Sequence, residues 1–125
     1  MIKTEYDYYP AGQLKTSYVF ENGALVALSG FYESGQLWEQ AHFKNGREDG
    51  ITTVYDEYVN LRAEWCYRNG LLNGVSRKYY ADGMLWEKML YVDDNTIWKK
   101  EYDRRGVLKS ETVFEGEAEV KRYSH

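Results

Sequence analysis

An all-β fold, a single twisted antiparallel meander of stacked hairpins, is predicted by three observations. A leucine recurs at Leu14, Leu37, Leu61, Leu85 and Leu108, at spacings of 23, 24, 24 and 23 residues. An aromatic residue follows six positions after each one, at Phe20, Phe43, Tyr67, Tyr91 and Phe114. Turn-forming residues punctuate every unit. A period of this length marks units that bury their apolar surface only against their neighbours. No segment carries a 3.6-residue period, so helices are not expected.

Each unit contains a strand that begins at its leucine: Leu14 to Phe20, Leu37 to Phe43, Leu61 to Tyr67, Leu85 to Tyr91 and Leu108 to Phe114. Side chains alternate along a strand, so an even offset predicts the leucine and its aromatic on one face. Asn22-Gly23, Asn45-Gly46 and Asn69-Gly70 follow, a dipeptide suited to the positive φ angles of a type I′ hairpin. The returning strands read Leu25 to Tyr32, Ile51 to Tyr55, Val75 to Tyr80 and Ile97 to Tyr102, with Ile2 to Tyr9 leading in and Glu117 to Tyr123 closing the sheet. Gly12, Gly35, Gly83 and Gly106 mark the second turn in four of the five units. The expected total is ten or eleven short strands.

Two turns depart from the pattern. Asp93 and Asp94 stand where Asn-Gly is expected, a mild change because Asp tolerates the left-handed region. Val59 stands where the other units have glycine. A β-branched residue resists positive φ, which predicts a locally different turn with Asn60 in the left-handed position.

Composition narrows the function. Thirteen Tyr and four Trp against one Pro, with 43% hydrophobic residues, describe a folded, sheet-rich chain. The net charge is −4 and cations are interleaved with acids, so counterion release on a phosphate backbone offers little and nucleic acid is not an expected partner. The single Cys66 has no disulfide partner, which points to a reducing, cytoplasmic setting. The first ten residues lack an apolar signal region, and no run approaches the ~18 residues of a membrane span, so membrane insertion is not expected. Charges at Lys3 and Glu5 on one edge, and at Glu117, Glu119, Lys121 and Arg122 on the other, discourage end-to-end stacking and predict a discrete monomer or dimer.

Equivalent positions of in-register units form rows across the sheet. The leucine and aromatic rows are the expected core. The next row reads Lys15, Trp38, Arg62, Trp86 and Lys109, alternating cation and indole, and is placed by simple alternation on the opposite face. Trp and Arg are the residues most enriched at interface hot spots. This row, with Trp98, Tyr80 and Tyr102 from the intervening strands, is the candidate binding site for a partner protein or peptide. Cross-strand packing of the same rings is the competing explanation. A small ligand, a carbohydrate or a phospholipid headgroup stacking on the indoles is the alternative. Two further rows share that face: Ser17, Gln40, Glu64, Lys88, Glu111, and Val19, His42, Cys66, Leu90, Val113.

Catalytic chemistry finds no constellation. His42 and Cys66 lie on strands ~10 Å apart, whereas a nucleophile and its base need about 3 Å. Glu39 and Glu87 are two units apart, ~19 Å, beyond the ~5 to 9.5 Å of a glycosidase pair. One cysteine and two histidines give no metal-ligand spacing. No cofactor, no metal and no enzymatic activity are expected.

The segments YYPAGQLKTSYVFENG and FYESGQLWEQAHFKNGREDG resemble the MORN repeat, and most closely its bacterial variant labelled an antitoxin-component repeat. The resemblance spans residues 8–116 and divides a single domain over residues 1–125 into repeats at 8–30, 31–54, 55–78, 79–101 and 102–123. It implies an elongated, twisted sheet used as a binding or dimerisation scaffold, with a partner protein or a second copy as occupant. The antitoxin label implies neutralisation of a target by contact, and some eukaryotic relatives are proposed to bind phospholipid.

Overall fold

The structure, a computed structural model, describes residues 1–115 and 118–124. The predicted charges at Glu117 and the side chains of Glu119 and Lys121 lie outside the described residues, as does His125. The described residues form β1 (Ile2–Tyr8), β2 (Leu14–Glu21), β3 (Ala24–Phe31), β4 (Leu37–Lys44), β5 (Arg47–Glu48), β6 (Gly50–Tyr55) and β7 (Leu61–Arg68). They continue through β8 (Leu71–Leu72), β9 (Gly74–Tyr79), β10 (Leu85–Val92), β11 (Asn95–Tyr102), β12 (Leu108–Glu115) and β13 (Ala118–Ser124). One open sheet holds them all in chain order, the two-residue strands β5 and β8 branching off β4 and β7. The all-β meander is as predicted.

Hairpin geometry follows the turn chemistry. Asn22, Asn45 and Asn69 take φ of 52°, 51° and 52°, each followed by a positive-φ glycine. Asp93 and Asp94 replace that pair at φ 46° and 69°. They are also anchored sideways: Asp94 Oδ1 accepts the Leu72 amide at 2.6 Å, and Asp93 exchanges hydrogen bonds with Asn73.

The alternation between 23 and 24 residues has a structural origin. Where the unit is 23 long, one residue bulges from the returning strand, Val26 between the Phe20–Leu25 and Val19–Ala27 pairs, or Ile97 in β11. In the units of 24, two residues are left over, Asp49-Gly50 and Asn73-Gly74. The longer bulge absorbs the extra residue while the ladder on either side stays in register.

The second turn recurs five times with the same two backbone bonds. Gly12, Gly35, Gly83 and Gly106 each donate to the carbonyl three residues back, at Tyr9, Tyr32, Tyr80 and Asp103. Val59 does the same to Asp56 at 3.1 Å. Here the expectation of a different turn is corrected: Val59 itself sits at φ 66°. Asp56 compensates, its carboxylate accepting the Tyr58 amide at 2.9 Å and the Asn60 amide at 3.0 Å. Holding a β-branched residue in this region costs on the order of 1–3 kcal/mol. Val59→Gly is therefore expected to raise the unfolding free energy by about 1 kcal/mol, after allowing for glycine's extra chain entropy. Urea denaturation measures it, and an unchanged midpoint would mean the turn carries no strain.

The same-face expectation for leucine and aromatic is also corrected. The residue after each leucine is extra in its strand: Lys15, Trp38, Arg62, Trp86 and Lys109 lie between ladder pairs in every unit. In β4, Glu39 pairs with Gly30 and Leu37 pairs with Phe31, its neighbour. Adjacent residues of β3 point to opposite faces, so Leu37 and Glu39 do too. A bulge reverses the alternation that an even count assumes. Tyr79, partner of Leu85, accordingly directs its hydroxyl to Glu64 on the face away from Glu87.

The two faces differ in burial. The packed face carries a cross-strand row from Thr16 through Gly30, Glu39, Val54, Ala63, Lys78, Glu87 and Glu101 to Ser110, each residue opposite the next. Beside it lie Ala41, Thr52, Ser76, Met89 and Thr112, among the most buried positions of the chain. The leucine and aromatic rows are only half-buried. In one layer of sheet the long side chains rim the face, and small residues beneath them are sealed from water.

Candidate functional site

Bulging places the predicted Lys15, Trp38, Arg62, Trp86 and Lys109 row along one end of the strands, beside the five glycine-type turns. Each member meets the residue six positions earlier in its own unit. Lys15 Nζ lies 5.8 Å from the Tyr9 ring centroid. Trp38 packs on Tyr32 at 6.2 Å between centroids, and Trp86 on Tyr80 at 5.9 Å. Arg62 pairs with Asp56 at 3.5 Å. Asp103 and Lys109 complete the series electrostatically, and the Asp103 carboxyl is held below its ordinary range by the Val107 and Arg105 amides, with Lys109 adding to the effect.

The same pairs tie one unit to the next. Tyr9 donates its hydroxyl to the Phe31 carbonyl at 2.6 Å, Tyr32 to Tyr55 at 2.6 Å, and Tyr80 to Tyr102 at 2.8 Å. The third unit has an aspartate in place of tyrosine, and Arg62 Nε reaches the equivalent Tyr79 carbonyl at 3.0 Å. Although desolvation pulls the Asp56 carboxyl upward, hydrogen bonds from the Asn60 and Tyr58 amides, the Asn60 side chain and Arg62 bring it below its ordinary range. Every acceptor is the residue paired with the next leucine.

The row lies on the face opposite its leucines, as alternation predicts, but it shares that face with the aromatic row instead of with the Ser17 and Val19 rows. A Cβ built on Gly30 would meet Trp38 Cε3 and Glu39 Cγ at 3.2 Å each, so the indole lies over the packed face, and glycine is what lets it approach. Trp86 behaves alike: Lys78 Nζ sits 5.3 Å from its centroid, 5.7 Å from that of Trp65 and 3.8 Å from Glu87 Oε2. Tyr80 joins this group through Trp86. Trp98 does not, because it pairs with Leu90 and Val113 on the open face, under Lys100 at 4.9 Å. Tyr102, two residues beyond Lys100 along β11, shares that face. The eight candidate residues thus form two groups on opposite sides of the sheet.

Trp38 retains 43% exposure and Trp86 is half-buried. Glu39, which lies with Trp38 over Gly30, has its carboxyl pushed up by desolvation and by Glu48. On the ladder Glu39 and Glu87 are four strand steps apart, and His42 and Cys66 are two steps apart, which keeps both pairs outside reacting distance. Among the described residues, no three Asp, Glu, His or Cys side chains gather to hold a metal ion. The tyrosines at positions 9 and 32 and Asp56 were not among the predicted site residues, yet the offset of six and the matching of Tyr with Trp and of Asp with Arg are visible in the sequence.

The sequence matches the MORN repeat variant at residues 28–45 and 72–93, about a third of the chain. Both spans include the leucine-led strand of a unit, β4 and β10. No curated protein matches. Among solved structures the chain is similar to the Glycosylation Associate Protein (Gap123) complex from Streptococcus agalactiae, with a TM-score of 0.51 at 19% identity. That alignment covers 82% of this chain and 19% of the other, so the chain spans about a fifth of its neighbour's length. The likeness is one of fold.

Proposed function

We infer that this chain is a non-enzymatic protein-interaction module that seats a partner protein on the turn-side row of aromatic and cationic side chains. The carrying observation is that Trp38 and Trp86 are already stacked on Tyr32 and Tyr80 while Trp38 keeps 43% of its surface open. Rings held in place before contact lose little entropy on binding, and tryptophan and arginine anchors contribute most where water is excluded around them. Lys15, Arg62 and Lys109 interleave with the rings and set the charge pattern of the surface. Trp98 and Tyr102 belong to a second surface. The resemblance to an antitoxin-component repeat supports a finer reading, in which the contact neutralises a toxin or a defence factor. The unpaired Cys66 suits a reducing cytoplasm.

Affinity purification with tagged wild-type chain, followed by titration of the captured protein, tests the reading. Trp38→Ala combined with Trp86→Ala is expected to weaken that partner at least tenfold with the far-UV spectrum unchanged. Equal affinity in the double variant removes the proposed seat.

A further inference from the structure

On the open face one cross-strand row reads Glu64, Arg77, Lys88, Lys100 and Glu111, each directly opposite the next on β7, β9, β10, β11 and β12. Three cations therefore stand side by side on strands ~4.8 Å apart. Like charges directly opposite each other destabilise a sheet. Their juxtaposition is the more notable in a chain whose net charge is −4. Among the described residues neither Arg77 nor Lys88 has a carboxylate within ion-pair distance, and Lys100 turns to the Trp98 ring instead.

Apolar surface flanks the cations. Val75, Leu90, Trp98 and Val113 form the adjoining row, again in direct register, and Val113 is 37% exposed. A cavity of about 530 Å³, lined in part by Cys66, Leu90 and Val92, opens where this row meets β7. Tyr79 and Tyr102 stand on the other flank.

We propose that this patch is a second contact surface, which binds an acidic segment of a partner protein whose carboxylates alternate with aliphatic side chains. Arg77, Lys88 and Lys100 take the carboxylates, and the Val75 to Val113 row takes the aliphatic groups. The ladder is bracketed by Glu64 and Glu111, which limits the favourable stretch to about three strands. That suits a short acidic peptide segment and repels a long polyanion continuing past either end. Trp98 is the hot-spot aromatic of this surface, with Lys100 held over its ring.

The test uses the full chain, isotope-labelled for NMR, titrated with a blocked octapeptide alternating glutamate and leucine. Saturable shifts are expected at residues 75–77, 88–90 and 98–100, with none from an octapeptide alternating lysine and leucine. Lys88→Glu places an anion between two cations, so it should raise the thermal midpoint of the free protein by about 3 °C while weakening the peptide at least tenfold. Should that variant fail to fold, Arg77→Gln with Lys88→Gln must weaken the peptide to the same degree. The Trp38→Ala and Trp86→Ala variant should bind this peptide as wild type does, which separates failure here from failure of the turn-side seat. A lowered midpoint in Lys88→Glu, shifts mapping elsewhere, or unchanged affinity would overturn the proposal. Preferential sedimentation with phosphatidylserine vesicles, or self-association abolished by Lys88→Glu, would overturn it in favour of a lipid surface or a second copy.

Discussion

Ser76→Leu is expected to lower the unfolding free energy by about 3 kcal/mol and the thermal midpoint by roughly 10 °C. Ser76 is 0% exposed and stands opposite Met89 on the packed face. Its hydroxyl accepts the Cys66 amide at 2.9 Å. That bond exists because the Asn73-Gly74 bulge interrupts the ladder just there, with Asn73 taking the Cys66 carbonyl at 3.0 Å. Removing the hydroxyl leaves a part-buried donor unmet, at about 1–3 kcal/mol. Adding an isobutyl group at this fully buried position opposite Met89 overpacks it, at about 1–3 kcal/mol more. Ser76→Ala separates the two, since it removes the acceptor without adding volume and should show only the first loss. If leucine were tolerated as well as alanine, the small residues of the packed face would be incidental to its sealing.

The second large effect is expected at Arg62. Its Nε is the donor to the Tyr79 carbonyl, a bond made by tyrosine hydroxyls in the first, second and fourth units. Arg62→Ala removes that donor, worth about 1–3 kcal/mol for a charged group, and leaves Asp56 without its cation. Lys15→Ala should be far milder, because in the first unit Tyr9, not the lysine, carries the bond to the next unit. Urea denaturation of both variants makes the comparison. Equal losses would contradict the division of labour between the two kinds of rung.

Much of this architecture is written in residue spacing. The leucine and aromatic periods, the Asn-Gly turns and the recurring glycines specify the strands to within a residue or two, because turn chemistry and alternation act locally. The side of the sheet is another matter. Trp38 follows Leu37 and precedes Glu39 with nothing in those residues to announce a bulge, yet the bulge turns the indole onto the packed face and sends the leucine to the other. Register across bulges also aligns Arg77, Lys88 and Lys100, which belong to strands of different phase and do not share a repeat position. Val59 shows the opposite limit. Its resistance to positive φ is legible, but the compensation supplied by Asp56 depends on three groups brought together by the turn itself. What was open to reading was the pairing at offset six, where tyrosine accompanies tryptophan or lysine and aspartate accompanies arginine or lysine.

The account depends on the five units being copies in register, so that a rung from one can be exchanged for a rung from another. Transplanting the second unit's pair into the third, Asp56→Tyr with Arg62→Trp, tests this most directly. The exchange is made in a Val59→Gly background, because the substitution also removes the turn bonds of Asp56. Thermal denaturation of the background, each single exchange and the double forms a mutant cycle. The account predicts that both single exchanges lower the midpoint and that the double returns to within about 2 °C of the background. A double exchange as unstable as the summed singles would show that the rungs are not equivalent, and would contradict the in-register stacking on which both binding surfaces rest.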